Sequence, residues 1–450
     1  MGKINLANLK KTIYYLKRNG VKSAVNAVRE RLDAGSRENY AFTPASPEVL
    51  QLQRERAASG FSKLLFSVVV PAYRTPEGYL REMLDSVIGQ TYPGWELIVA
   101  DASGDDSVKS ILETYGDSRI KYHPLEANKG IAENTNEGIA LAAGDYVGLL
   151  DHDDVLTENA LFEMAAAVEE GRSRGVELQL LYSDEDKCDG GLTKFYEPNR
   201  KEEFNLDLLL SNNYICHFMV MKRELIQELK LRGEYDGAQD YDLVLRAAAG
   251  LQGQEEKIAH VPLVLYHWRC HSSSTAENPQ SKRYAYDAGR RAVQDFADSR
   301  GWRAIARDTE HLGFYRLEYQ GNPLEIRREL GALGGRVASR GKTVGGRLDR
   351  EGKALYGGLP LSYSGYLHRA ALQQDAEALD IRNLELRSSL RQLFAETLGV
   401  PYVTLPGTET FDPSALPAEL DYREASLRLG RALRERGYLL LYLPERIRKL

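Results

Sequence analysis

Asp151, His152, Asp153 and Asp154 stand side by side in LLDHDDVL, directly after a run that reads as a buried strand. Neighbouring carboxylates raise one another's cost of ionisation, so such a cluster is unfavourable unless a cation offsets it. Oxygen-only donors suit Mg2+ or Mn2+, which complete their shells with phosphate oxygens and water. Asp151 and Asp153 are spaced so that both can reach one polar point where the chain leaves the strand. The structural alternative makes Asp153 or Asp154 a cap for the helix expected over 157–170. One aspartate suffices for that.

Other chemistry-bearing groups are scattered. Asp240 and Asp242 open the helix expected in AQDYDLVLRAAAG, where first-turn acids are also simply favourable. His267 and His271 lie in VLYHWRCH; a zinc pair at that spacing needs a helix, and this stretch reads as a strand. YSDEDK carries Asp184, Glu185 and Asp186, of which Asp184 is expected to point into a cleft.

The elements that must position these groups alternate. FSVVVPAY, WELIVADAS, RIKYHPL and DYVGLLDHDD read as strands, with helices in EGYLREMLDSVIGQT, SVKSILETYG, IAENTNEGIALAAG and TENALFEMAAAVEEG. This order predicts a doubly wound, mostly parallel α/β sheet with right-handed crossovers. Ligands bind off the carboxyl ends of such strands, where the aspartates fall. Further on, VELQLLYSDEDK and KIAHVPLVLYHWRCH read as strands, and NYICHFMVMKRELIQEL as a strand running into a helix.

A chain of 450 residues allows two or three domains, and 43% apolar residues support a sizeable core. The net charge of −6 argues against nucleic-acid binding. Cys188, Cys216 and Cys270 form no CxxC, which fits a reducing compartment. No apolar run is long enough to span a membrane and no signal-peptide core is visible, so a cytoplasmic protein is expected. The basic segment from Lys10 to Arg31 carries Ile13, Tyr14, Leu16, Val21, Val25 and Val28 on two short helices broken at Gly20. It reads either as a helical pair packed on the main domain or as a peripheral contact with anionic lipid at the inner face of the cytoplasmic membrane.

Residues 1–62 are therefore taken as a helical segment and linker, with little fixed structure over 33–62. A catalytic domain follows at 63–275, a helix-and-strand extension at 276–320 and a smaller α/β domain at 321–450. LDYREASLRLGRALRERGYLLLYLPE faintly repeats the order of QDYDLVLRAAAGLQGQEEKIAHVPLVLYH, without the second aspartate or the histidine. It reads as a degenerate partial copy that serves as scaffold.

From 64 to about 275 the chain resembles family 2 glycosyltransferases, nucleotide-sugar enzymes of the GT-A fold. The resemblance is carried by SVVVPAYRTPEGYLREMLDSVIGQTYPGWELIVADASGDD and by NKGIAENTNEGIALAAGDYVGLLDHDDVL. YSDEDK, GAQDYDLVLR and LYHWR are similar, in order, to a bacterial subgroup that builds surface polysaccharides. The resemblance implies that Pro71, Tyr73, Asp101, Lys129 and Asn136 meet the donor nucleotide. It implies that Asp151 faces ribose or metal-bound water, that Asp153 and His267 hold Mg2+ or Mn2+, and that Asp240 is the base. Ala100 departs from the family, where a second aspartate is common.

For each residue a structural role also stands: Asp101 beginning a turn, Lys129 in solvent, His267 with a backbone partner. The implied activity is inverting transfer of a sugar from a nucleotide-diphosphate donor to a glycan or lipid-linked acceptor. The polar loop 271–282 is expected to close over the donor. The alternatives are a non-catalytic nucleotide- or glycan-binding subunit of a polysaccharide assembly complex, and a nucleotidyltransferase. The latter needs a Gly-rich basic loop after the first strand, and PAYRTPEG is a poor one.

Overall fold

The computed structural model describes residues 16, 18–21, 23–30, 40–270 and 283–450. The chain forms two compact units: 39–204 with 213–292, and 1–38 with 205–212 and 293–450.

The first unit is built on one mixed sheet in the order β3-β2-β1-β4-β8-β6-β9-β5, with β7 (Phe195–Asn199) beside β6. Strands β1 (Phe66–Ala72), β2 (Trp95–Asp101), β3 (Ile120–Pro124) and β4 (Tyr146–Leu149) are parallel, as expected. Every residue of β2 is buried, and all but Pro71 of β1. Such continuous apolar runs belong to strands covered on both faces. Helix α2 (Glu77–Ile88) buries Leu80, Met83, Leu84 and Val87, one stripe at helical spacing. Helix α4 (Ile131–Ala140) lies so close to the sheet that a Cβ on Gly138 would stand 2.6 Å from Val69 Cγ1. That contact requires glycine.

Beyond β4 the sheet is less parallel than the alternation suggested. Strand β8 (Met219–Lys222) runs antiparallel between β4 and β6 (Leu180–Asp189). Strand β9 (Ile258–Cys270) is parallel to β6, and the short β5 (Val155–Leu156) pairs antiparallel with β9. Helix α6 (Arg223–Leu229) continues directly from β8, as NYICHFMVMKRELIQEL predicted. Helix α7 (Gln239–Gly250) opens with Asp240 and Asp242 in its first turn.

The expectation of an unstructured linker over 33–62 is corrected in part. Helix α1 (Pro47–Ala58) has Ser46 as its N-cap, accepting from Val49 N, and proline at its start. Proline at a first helical position fits because its missing N–H is not needed there. The composition suggested a loop; the cap and proline start a helix.

In the second unit, strand Leu330–Ser339 forms a hairpin with Lys342–Gly345 and pairs in parallel with Leu439–Lys449. Helix Tyr422–Arg434, capped by Asp421, buries Ala425, Leu429 and Leu433 in a core with Phe394, Phe411 and Tyr442. Residues 18–20 and 23–30 are helical, with φ of 79° at Gly20. Arg18 donates to Thr309 O and Asn19 to Glu310 O, while Glu30 accepts from Ser364 N. Val21, Val25 and Val28 are exposed. The remaining positions of the basic segment, and the loop 271–282 with His271, lie outside the described residues.

Candidate active site

Strand β4 ends at Leu149, so the acidic run forms the loop after it. Asp154 is buried and accepts two hydrogen bonds, from Tyr266 Oη (2.5 Å) and from Arg269 N (2.7 Å). Neither donor is a charge. Burial, then Asp151 and Asp153, holds its carboxyl well above the usual range. Arg269 completes the clamp: Nε donates to Asp153 O at 2.5 Å, and Nη1 donates to Gly190 O at 2.8 Å and pairs with Glu82 at 2.6 Å. Its guanidinium lies over Tyr79. The helix that follows (α5, Ala160–Ser173) has Asn159 at its N-cap. The third carboxylate therefore ties the loop to β9, and the helix-cap alternative is not what the structure uses.

Asp151 and Asp153 lie in the same loop. Burial raises Asp151; His217 opposes this, while Asp153 and Asp240 push in the same direction as burial. These groups thus share one electrostatic neighbourhood, although they come from β4, the segment before β8, and α7. Two crowded carboxylates with oxygen donors fit a hard divalent cation that takes its other ligands from phosphate and water. No group of three or more His, Cys, Asp or Glu among the described residues has a metal-holding arrangement.

Asp240 Oδ2 accepts from Asn213 Nδ2 at 2.8 Å and from Cys216 Sγ at 3.5 Å. Burial pushes the Cys216 thiol up to about 12, so it stays protonated. His217 follows, with Nε2 3.4 Å from Cys216 Sγ and Nδ1 3.2 Å from Glu185 Oε2. Its ring stacks on Tyr266 at 4.7 Å and 12°. Lys201, with a fully buried side chain, donates to Glu185 Oε2 at 3.3 Å and to the carbonyls of Ile215 and His217. Burial alone would raise Glu185, but Lys201 and then His217 bring it down to about 2. Against burial, Cys216 and Glu185 raise the His217 imidazole. Glu185 pairs with Tyr266 across β6 and β9, so both point to the His217 face. Asn213, Cys216, His217, Glu185 and Lys201 were not foreseen; the one signal was a histidine inside the apolar run ICHFMVM.

The same alternation places His267. Its cross-strand neighbour is Asp186, and Nδ1 lies 2.5 Å from Asp186 Oδ1. Phe42 and Phe195 pack against the ring at 4.5 Å each. Asp186 also accepts from Tyr40 Oη. Successive strand residues point to opposite faces, so His267 is turned from the face that carries Tyr266 and His217. It is a buried histidine whose Nδ1 is held by a carboxylate.

Asn136 is engaged within the fold. Its Nδ2 donates to Leu231 O at 2.8 Å and its Oδ1 accepts from Leu231 N at 2.9 Å. Both polar ends are used, so it braces α4 against the 231 backbone. Asp101 Oδ1 accepts from Ser103 N and Oγ, and Oδ2 from Tyr122 Oη. Ser103 Oγ in turn accepts from Arg74 N, which joins the loops after β1 and β2. Tyr73 is exposed beside this junction, and Pro71 pairs with Ala100. The Lys129 side chain is more than half exposed, 3.7 Å from Glu137. Asp242 binds Arg232 and Arg246, a structural clamp. Asp184 accepts from His260 Nε2 and Lys201 N, so its carboxylate is engaged within the fold.

Residues 67–230 match the model of glycosyl transferase family 2. That span is similar to the family, and it runs from β1 to the end of α6. Asp240 and His267 lie beyond the matched span. The chain is 36% identical over 270 residues to the O-antigen biosynthesis protein RfbC of Myxococcus xanthus, covering 59% of this chain and 20% of that protein. It is 37% identical over 255 residues to the uncharacterized protein y4gI of Sinorhizobium fredii, covering 54% and 27%. The amylovoran biosynthesis glycosyltransferase AmsB of Erwinia amylovora is 30% identical over 195 residues, covering 40% and 63%. The chain thus spans about a quarter or less of the length of the first two relatives. The structure of S. aureus TarS 1–349 in complex with UDP-GlcNAc aligns over 52% of this chain and 67% of that one, at 21% identity and a TM-score of 0.43, too low to build on. Among the described residues no helix is long and apolar enough to cross a membrane.

Proposed function

We propose that this chain moves a sugar from a nucleotide-diphosphate donor to a hydroxyl of a glycan or lipid-linked acceptor, with inversion, during assembly of a cell-surface polysaccharide. The observation that carries this is that Asp153 and Asp240 both act on the Asp151 carboxyl just beyond the end of β4, where Asp151 and Asp153 fall within the residues matched to family 2. The acceptor oxygen bonds to the anomeric carbon as the bond to the diphosphate oxygen breaks. The diphosphate leaves with the electron pair. Asp240 takes the hydroxyl proton, a role that typically contributes ~10²- to 10⁴-fold. Attack opposite the leaving group gives inversion.

Asp153, with Asp151, would hold Mg2+ or Mn2+. When bound, the cation shields the charge that develops on the departing diphosphate. Asp101 and the loops it joins, with Pro71 and Tyr73, line the approach for the nucleotide, and Lys129 supplies a positive charge nearby. The second unit is read as a decayed partial copy serving as scaffold. Leu16, Val21, Val25 and Val28, exposed beside Arg18 and Arg29, support a peripheral contact with anionic lipid.

A panel of nucleotide sugars with Mn2+ tests the reading through thermal stabilisation and donor hydrolysis. One donor is expected to stabilise the protein, to be hydrolysed slowly, and to lose both effects with EDTA. Stabilisation without hydrolysis or transfer would leave a binding subunit instead. For the lipid contact, the protein should co-sediment with phosphatidylglycerol vesicles and not with phosphatidylcholine; equal binding to both removes it.

A further inference from the structure

The groups behind Asp240 form a connected series, and the direction of each hydrogen bond can be assigned. An ionised carboxylate only accepts, so Glu185 requires a proton on His217 Nδ1. Cys216 keeps its thiol proton, and Asp240 Oδ2 is the carboxylate within its reach. With the S–H directed at Asp240, the sulfur offers a lone pair to His217 Nε2. That nitrogen then also carries a proton. With both ring nitrogens facing acceptors, the ring is doubly protonated.

We propose that Glu185, His217 and Cys216 form a relay that positions the Asp240 carboxylate, with His217 as the imidazolium that balances the acidic pocket. The inference rests on the reading of Asp240 as proton acceptor and adds the residues that hold it. The geometry supplies rigidity at each step. Glu185 is fixed by Lys201 and by the backbone N–H of His217 at 3.2 Å. The imidazole is fixed by stacking on Tyr266. The same tyrosine donates to Asp154 and accepts from Asp151 N, so one ring joins the relay to the acidic loop. Asn213 closes the far end, donating to Asp240 and accepting from Cys216 N at 3.3 Å.

His217 is a positioning residue: it acts through Cys216 and Asp240. Misplacing a reacting group by about 1 Å costs on the order of 10²-fold in rate. His217→Asn keeps a donor for Glu185 and removes both the charge and the Nε2 contact. With the donor selected in the panel, it should lower kcat by roughly 10- to 100-fold and change donor KM by less than about twofold. In an Asp240→Asn background the same change should lower kcat less than about twofold, because the relay has lost its target. Equal losses in both backgrounds, or a raised KM at unchanged kcat, overturn the relay.

Should His217→Asn fail to fold, Cys216→Ala leaves the ion pair behind it intact and must show the same non-additivity with Asp240→Asn. In the wild-type protein, ¹⁵N spectra of labelled histidine should show both His217 ring nitrogens protonated at neutral pH; a neutral ring overturns the proposal. The two readings fail differently. Unchanged kcat in Asp240→Asn alone removes the base and, with it, the relay. A large loss in Asp240→Asn with additive loss from His217→Asn removes the relay only.

Discussion

Buried acids are matched differently in the second unit and in the acidic loop of the first. In the second, buried acids meet arginines. Arg327, fully buried, pairs with Asp207 and with Glu329 at 2.9 Å, and its guanidinium lies over Trp302. Arg382 pairs with Asp380 at 2.7 Å over the Tyr422 ring, and Arg446 with Glu385 at 2.7 Å. In the first unit, Asp151, Asp153 and Asp154 crowd one loop, and the groups that lower Asp151 are the imidazoles of His217 and His152. Matched charges hold a scaffold together. Mismatched ones are unfavourable until a ligand arrives, and they mark the site.

The comparison predicts where substitutions will act. The largest effects belong to the mismatched side: Asp240→Asn and Asp153→Ala should each lower transfer by at least ~10²-fold with little change in melting temperature. Steady-state rates beside thermal melts check this, and a parallel loss of both quantities would make these residues structural. On the matched side, Arg327→Ala leaves Asp207 buried without its counter-charge and should destabilise the fold by about 3–5 kcal/mol. Denaturant titration measures it; a loss below ~1 kcal/mol would erase the contrast.

Glu185 sits between the two cases, an acid of the first unit that does have its cation. Its folded value is depressed to about 2, so its contribution is fully present above the unfolded carboxylate range. That contribution fades as pH falls from about 4.5 toward 2, and Glu185→Gln should flatten this limb of the stability curve. An unchanged acid limb in the variant would contradict it. The smallest effect runs the other way. Asp151→Asn removes a carboxylate that burial raises and should stabilise the ligand-free protein by roughly 1 kcal/mol while abolishing transfer. A lower melting temperature would show that Asp151 is not under electrostatic strain.

Much of the first sheet was legible because its signals are local. β1 and β2 are continuous apolar runs, α2 repeats its buried positions at helical spacing, and the acidic loop announces itself by composition. The cleft's other wall was not legible, because pairing and register create it. Glu185 faces His217 only through shifts in the β6–β9 ladder between Ser183 and Glu185. The same register sends His267 to Asp186. A histidine beside the right motif was visible in the sequence; the face it points to was not. The partner of Asn136 was hidden for a related reason, since it is a backbone 95 positions away.

Arg269 links parts of the chain that inheritance can alter separately. One guanidinium meets Glu82 on α2, the Asp153 carbonyl in the acidic loop and the Gly190 carbonyl between β6 and β7. Lysine has no planar fork and cannot serve the three at once. Drift at any of these places is therefore felt at the others. Changes in the α2 helix or the 190 turn must leave undisturbed a hub that also sets the acidic loop.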